Sequence, residues 1–492
     1  MDSTGLRPPH PMVETPDSFE YASSLEDASL ARIAPRQLLY VDGKWIRPGG
    51  NRYFPAINPA DESVLSEIAE ASAKDVDKAV VAARRALPTW AGMPGAERAR
   101  LLFAVSRILQ ERSREFAVLE TLDNGKPIRE SRDIDIPLAA QHFFYYAGWA
   151  DKLEYARPGN RAPRPVGVCG QIIPWNFPLL MSAWKLAPAL ACGNTVILKP
   201  AETSSLTPLR LMEIFDDAGF PPGVVNLVSG GAKTGAALAS HPDLDKIAFT
   251  GSTGVGKLIQ TQAARTGART TLELGGKAAH IIMDDAPLHE AVEGIVKGIW
   301  FNQGQVCCAG SRLLVQEGIE DELIRLLGER LAQVRVGNPL DKNTDLGAIN
   351  SKEQLEKIRS YLEIGEREGA LRHGPDHKLP AKGYWCSPCF FTKVTNNMRI
   401  AREEIFGPVL SVLTFRTPEE AITKANDTLY GLSAGVWTDK GSRIFKMIDR
   451  LQAGVVWANT FNRFDAASPF GGYKESGYGR EGGRQGLYPY LD

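Results

Sequence analysis

The chain has 492 residues, 43% apolar and 23% charged, with a mean hydropathy of −0.20; these are values of a globular protein and exclude a largely disordered chain. Its 57 basic and 58 acidic residues leave a formal charge of −1, which gives no sequence-independent attraction to nucleic acid or anionic lipid. Six cysteines are too few for a disulfide scaffold, and the length allows about two to four domains.

Residues 1–27 carry Pro8, Pro9, Pro11 and Pro16 with several acids, and lack the charged start and apolar core of a secretory signal. They read as a flexible or loosely attached arm. A cytoplasmic location with free thiols is therefore expected. Asp42-Gly43, between Tyr40-Val41 and Trp45, is a hairpin signal. Helical patterns follow over residues 75–87 and, as one long helix, 97–122. From there strand-like and helix-like stretches alternate. Strands are expected at 166–173, 195–198, 224–228 and 246–249, with helices at 179–191, 205–218, 233–240 and 254–264. The most apolar stretch, 179–198, is broken by Lys185, Pro188, Gly193 and Asn194, which argues against a membrane-spanning helix. A second series places strands at 278–283, 312–316, 409–415, 433–437 and 454–458. Its helices fall at 287–301, 319–334, 418–425 and 443–451. The fold class is therefore α/β, in two halves that meet near Leu274-Gly275-Gly276, each a mostly parallel sheet with helices on both faces.

Several short motifs carry chemistry. Gly251-Ser252-Thr253-Gly254-Val255-Gly256-Lys257 lies between a strand and a helix, where glycines let backbone N–H groups reach a phosphate. Leu258 stands where a P-loop needs Ser or Thr for Mg²⁺, which sets a Walker-type ATPase aside. The motif alone fits a nucleotide site and a plain tight turn equally well. Lys199-Pro200-Ala201-Glu202 ends a strand, where an open α/β sheet binds its ligands. Glu202 can accept ribose hydroxyls there, and a surface ion pair is the simpler alternative. Cys307-Cys308 follows Asn302-Gln303-Gly304-Gln305-Val306, and no metal-ligand spacing surrounds it. Taken alone Cys307 reads as structural, as do Cys169, Cys192, Cys386 and Cys389. Glu273 sits beside the Gly275-Gly276 pair, although an isolated Glu is usually solvated. Pro174-Trp175-Asn176-Phe177-Pro178 sets an amide in a stiff loop that also fits a packed turn. A thiol, a carboxylate, an amide donor and a nucleotide cradle together suit covalent oxidation of a carbonyl.

In this order the motifs resemble the NAD(P)-dependent aldehyde dehydrogenase superfamily. The matching segments are residues 121–127, 174–178, 198–202, 249–253, 273–277, 301–307, 403–408 and 468–474, and the likeness runs from about Leu38 to Tyr488. It implies a Rossmann-like NAD domain over 35–275, a catalytic α/β domain over 276–465, and a segment, 466–492, that returns to the NAD domain. Residues 1–34 form the arm. By the same resemblance Cys307 is the nucleophile, and its thiolate is favoured by a positive local potential. Asn176 is the oxyanion donor and Glu273 the general base for thioester hydrolysis. Lys199 and Glu202 hold the adenosine ribose, and Trp175 and Ser252 line the pyrophosphate. Glu404 and Phe406 surround the nicotinamide ribose, and Gly231, Gly251 and Gly256 complete the cofactor site. The cofactor is NAD, with NADP disfavoured by Glu202. Phe177, Met181, Trp184, Cys308, Phe464 and Phe470, with Val306 and Asn462, line the substrate tunnel. That wall suits aliphatic or aromatic aldehydes, and an amino or betaine aldehyde fits its aromatic rings. Arg463 beside it reads as a salt-bridged surface residue.

The oligomerisation hairpin at 152–165 looks short and the chain stops at Asp492. Both pieces of the family's assembly look reduced, which argues for a dimer over a tetramer. These features are similar to a branch in which a degenerate dehydrogenase-like domain follows the first. Two other functions fit the fold: a non-catalytic scaffold, and a CoA-acylating enzyme, which would not need Glu273.

Overall fold

The computed structural model describes residues 22–156 and 163–492. Among them two large sheets carry the fold. The first has, in spatial order, the parallel strands Arg269–Glu273, Lys246–Thr250, Val168–Ile172, Thr195–Lys199 and Val225–Leu227. The chain enters in the middle, winds outward, and then crosses to the other side. The order reverses between Val168–Ile172 and Lys246–Thr250, and ligands of open α/β sheets bind beyond the strand ends at such a reversal. The four strands of this set nearest the middle and the far edge are buried along their whole length, which is why they read as mostly apolar runs. The crossovers are the helices Pro178–Ala191, Leu206–Ala218, Ala232–Ala239 and Thr253–Thr266. The Asp42-Gly43 hairpin forms: Leu39–Val41 pairs with Lys44–Ile46, and Tyr40 joins the sheet edge at Leu227.

The second sheet has seven strands. Cys389–Thr392, Val409–Phe415, Arg312–Gln316, Ala279–Ile282, Ser433–Trp437 and Val455–Ala458 lie parallel, and Leu371–His373 closes one edge antiparallel. The chain returns to the first sheet near its end, where Gly477–Tyr478 pairs with Leu272 and Glu273. The chain passes from the end of Arg269–Glu273 in the first sheet to Ala279–Ile282, an interior strand of the second, through residues 274–278, and this junction lies on the wall of a cleft.

The structure corrects three expectations. The helix expected over 97–122 is two helices, Gly95–Glu111 and Ser113–Asn124, separated at Arg112. The first is amphipathic, whereas residues 116–124 are buried on every side, so the chain bends to drive the second piece inward. Of the expected arm, residues 1–21 lie outside the described residues, and residues 22–34 are attached. Glu26 is buried and its amide donates to Leu340 O at 2.9 Å. Of the expected hairpin at 152–165, residues 157–162 lie outside the described residues. Leu153–Ala156 is a helical turn, and Pro165 bridges to Leu491. Pro163 and Pro165 lack the N–H donors a regular hairpin strand needs. No helix among the described residues is long and apolar enough to cross a membrane.

Candidate active site

The loop bearing Cys307 is held in an unusual shape. After the helix Leu288–Ile299 comes the turn Phe301–Gly304, in which Asn302 and Gln303 have φ of 49° and 55°. Left-handed backbone costs a non-glycine residue on the order of 1 kcal/mol or more, and persists only where neighbours impose it. Here they do. The Asn302 amide donates to Glu130 Oε2 at 3.0 Å, and its Nδ2 donates to Asn176 O at 2.9 Å. Gln303 Nε2 donates to Ala348 O at 3.1 Å. Gly304 has φ 71°, and a Cβ there would lie 2.1 Å from Gly407 O. A Cβ on Gly276 would lie 2.3 Å from Cys307 O, so the glycine pair is what lets this loop sit over the sheet junction.

Cys307 emerges half-buried on the wall of a cavity of about 170 Å³ that also meets Asn176 and Glu273. Asn176 stands in the loop after Val168–Ile172, at the sheet's reversal. Its Nδ2 donates to Gln305 O at 2.7 Å, and an amide has two N–H bonds, so one is left over. Glu273 ends the strand Arg269–Glu273. It is 5% exposed, and neither carboxylate oxygen has a partner among the described residues. Burial first, then the charge of Glu481, hold its carboxyl well above the usual carboxylate range, with Lys185 opposing. A solvated surface Glu is thereby excluded.

The neighbouring thiol differs. Cys308 is buried, its Sγ donates to Asn462 Oδ1 at 3.5 Å, and burial pushes its pKa well up. Cys169, Cys192, Cys386 and Cys389 are buried free thiols, and burial raises Cys386 to about 11 and Cys169 to about 12. Among the described residues no group of His, Cys, Asp and Glu is placed to hold a metal ion.

The expected cofactor residues fall in two groups. Trp175, Gly251, Ser252, Glu404 and Phe406 line the same cavity as Cys307. The Trp175 and Phe406 rings meet edge to face at 5.2 Å. Glu404 Oε1 accepts from the Gly276 amide at 2.9 Å. Lys199, Glu202 and Gly231 gather farther along the sheet. Lys199 Nζ lies 3.5 Å from Glu202 Oε2, with the lysine buried and the Glu202 side chain 51% exposed. A Cβ on Gly231 would lie 4.0 Å from Glu202 Oε1. Gly256 faces inward toward Leu274 on the helix Thr253–Thr266, which Ser252 caps. A dinucleotide fits this track. Thr250 Oγ1 is buried without a partner on the cavity wall, and the helix start at Ser252 offers free N–H groups.

Opposite the junction, the cavity wall is aromatic. Trp184 meets Phe470 at 5.5 Å and Phe464 at 6.3 Å, and Phe464 meets Phe470 at 5.9 Å. Phe177, Met181, Val306 and Cys308 complete the wall. Asn462 stands behind it, donating to Lys297 O at 2.8 Å. Arg463 is exposed and has no ion pair among the described residues, which corrects the expected salt bridge: Asp465, the acid two residues on, accepts instead from the Ala467 amide at 2.7 Å.

Three charged groups near the site were not singled out from the sequence. Lys185 and Glu481 form a buried ion pair beside Glu273. Lys126 is buried against Asn176 O and Asp135. Lys185 left a signal, since a lysine in an apolar helix demands a buried partner.

Known proteins match this architecture. The profile of the aldehyde dehydrogenase family matches residues 45–492. Human mitochondrial aldehyde dehydrogenase is 45% identical over 470 residues, covering 92% of this chain and 90% of that protein. Human retinal dehydrogenase 2 has the same identity and coverage. The NAD⁺ complex of an aldehyde dehydrogenase from Bacillus cereus superposes with a TM-score of 0.92 at 43% identity, covering 96% of this chain and 98% of that one. The chain belongs to the aldehyde dehydrogenase family, and its activity is the NAD-dependent oxidation of an aldehyde.

Proposed function

We propose that Cys307 forms the covalent bond to the aldehyde, that Asn176 steadies the oxyanion, and that Glu273 is the base for hydrolysis. The convergence of a half-buried thiol, an amide with one free N–H and a carboxylate with two free oxygens on one cavity carries this reading. The Cys307 thiolate adds to the carbonyl carbon, and the carbonyl oxygen takes the negative charge. The free Asn176 N–H and the Cys307 amide face that charge in a site shielded from water, where donors act most strongly. Bound NAD supplies the hydride acceptor. Cys307 is then left carrying an acyl group as a thioester. Glu273 removes a proton from water, the hydroxide attacks the thioester carbon, and the C–S bond breaks to free the acid and the thiolate.

The test is reduced-nicotinamide formation from NAD with a panel of aldehydes, with the product identified. Free acid is expected, and acyl-CoA formed in its place would overturn the hydrolytic reading. Asn176→Ala is expected to lower kcat by about 10²–10³-fold, the loss for one oxyanion donor, with KM little changed.

We read NAD as preferred over NADP. Glu202 is half exposed at the strand end, and its charge repels a 2′-phosphate. Glu202→Ser is expected to raise kcat/KM for NADP by about tenfold, the effect of removing one like-charge contact. The aromatic wall and the absence of a cation on it among the described residues support apolar and aromatic aldehydes over acidic ones. The name of retinal dehydrogenase 2 points the same way. The domain division at 275/276, with 466–492 returning to the first sheet, is supported by the pairing of Gly477–Tyr478 with Leu272 and Glu273. A reducing compartment is supported by six free cysteines.

A further inference from the structure

We propose that Lys126 is a positioning residue for the reaction, fixing Asn176 through its backbone; this rests on Asn176 being the oxyanion donor. Lys126 follows the helix Ser113–Asn124, and its side chain is wholly buried. Its ammonium donates to Asn176 O at 2.9 Å and to Asp135 Oδ2 at 2.5 Å, and stands 4.2 Å from the Phe177 ring centroid. Lys126 does not line the cavity itself, so it acts through the residues it holds.

The other side of Asn176 is held by the Cys307 loop. Asn176 O also accepts from Asn302 Nδ2 at 2.9 Å, and Asn176 Nδ2 donates to Gln305 O at 2.7 Å. Both lone pairs of the Asn176 carbonyl are thus used. One bond comes from the loop that carries the thiol. The other comes from the unconnected segment 124–135. Asn124 Nδ2 adds a further tie from that segment, to Trp175 O at 2.6 Å. Without the ammonium, the Asn176 carbonyl keeps only its bond from Asn302, the segment 124–135 holds the loop only through Asn124 and Trp175 O, and the Asn176 peptide tilts toward the Cys307 loop, turning its free N–H away from the carbonyl oxygen.

A charged donor suits this task. Charge-assisted hydrogen bonds are about twice as strong as neutral ones, and the ring face of Phe177 is attracted to the same cation. One cation thereby fixes the oxyanion donor and the first residue of the tunnel wall. The ammonium is itself anchored among buried carboxyls. Asp135 pairs with it, Glu120 Oε1 lies 3.8 Å away, and burial holds Glu120 near a pKa of about 7.

The test compares Lys126→Met, and Lys126→Met with Asp135→Asn, on the wild-type and Asn176→Ala backgrounds. The double change removes the carboxylate that a lone Lys126→Met would leave buried and unpaired. Melting temperature and NAD binding report folding and cofactor-site integrity. In the wild-type background kcat is expected to fall about 10- to 100-fold, since a misplacement near 1 Å costs up to that much, with smaller changes in KM and NAD affinity, because Phe177 and Trp175 share the loop. In the Asn176→Ala background the same change is expected to alter kcat by less than about twofold, because its target is gone. Equal losses on both backgrounds, or an unchanged kcat in the folded variants, overturn the proposal. If Asn176→Ala alone keeps full kcat, the reading of Asn176 fails first, and the two failures are told apart.

Discussion

Replacing Cys307 by alanine is expected to lower aldehyde turnover on the order of 10⁵-fold or more, the scale on which loss of a nucleophile is felt. Cys308 is adjacent, yet the structure gives it no means to substitute. It is 1% exposed, burial pushes its thiol well up, and its Sγ is engaged with Asn462 Oδ1. Ionising it would place an uncompensated charge in an apolar wall. The Cys307→Ala enzyme should still bind NAD, because the residues on the dinucleotide track hang from the first sheet and from residues 404–406. An alkylating probe should label wild-type protein at Cys307, and the variant at no site in the cavity. Residual turnover above about 1% of wild type, or labelling moved to Cys308, would remove Cys307 from the role.

The sequence made the parallel alternation legible because buried strands and crossover helices have distinct apolar periods. It did not reveal Arg269–Glu273 as a strand. Its first residues, Arg269 and Thr270, are polar and partly exposed, and only its carboxyl end is driven inside by its neighbour Lys246–Thr250. That hidden strand is what buries Glu273, so a residue that reads as solvated is in fact a buried acid whose carboxyl is held well above the usual carboxylate range. The break at Arg112 was hidden for a similar reason. Local propensity favours one helix through 97–122, and only packing on the second piece bends it. Asn176, Glu273 and Cys307 stand far apart in the chain and meet because a sheet reversal, a strand end and a strained turn face one cleft. Spacing does not encode that meeting, and the order of family motifs was what pointed to it. Lys126 lies in the family-like segment 121–127, but neither it nor Asp135 was given a role there, for a related reason. Each is an ordinary charged residue in sequence, and their meaning lies in the burial that forces them together against Asn176 O.

Glu273→Gln is expected to lower kcat by about 10²–10⁴-fold, the usual contribution of a positioned base, and to remove the acid limb of the pH–rate profile. The sign follows from the structure. A carboxyl whose pKa is raised by burial keeps its proton to higher pH than a solvated one. As pH falls through that raised value Glu273 becomes protonated and cannot take a proton from water. The wild-type kcat should therefore rise with pH along a limb lying well above the ordinary carboxylate range, and Gln, which does not titrate, should flatten it. The second cause of the raised pKa is the negative charge of Glu481, and Lys185 opposes it. Glu481→Gln removes the repulsion and frees the ammonium to favour the charged base, so the limb should move to lower pH. A limb that persists in Glu273→Gln at an unchanged position would assign the titration to another group. A limb that moves upward in Glu481→Gln would show that the buried Lys185–Glu481 pair acts on Glu273 through something other than charge.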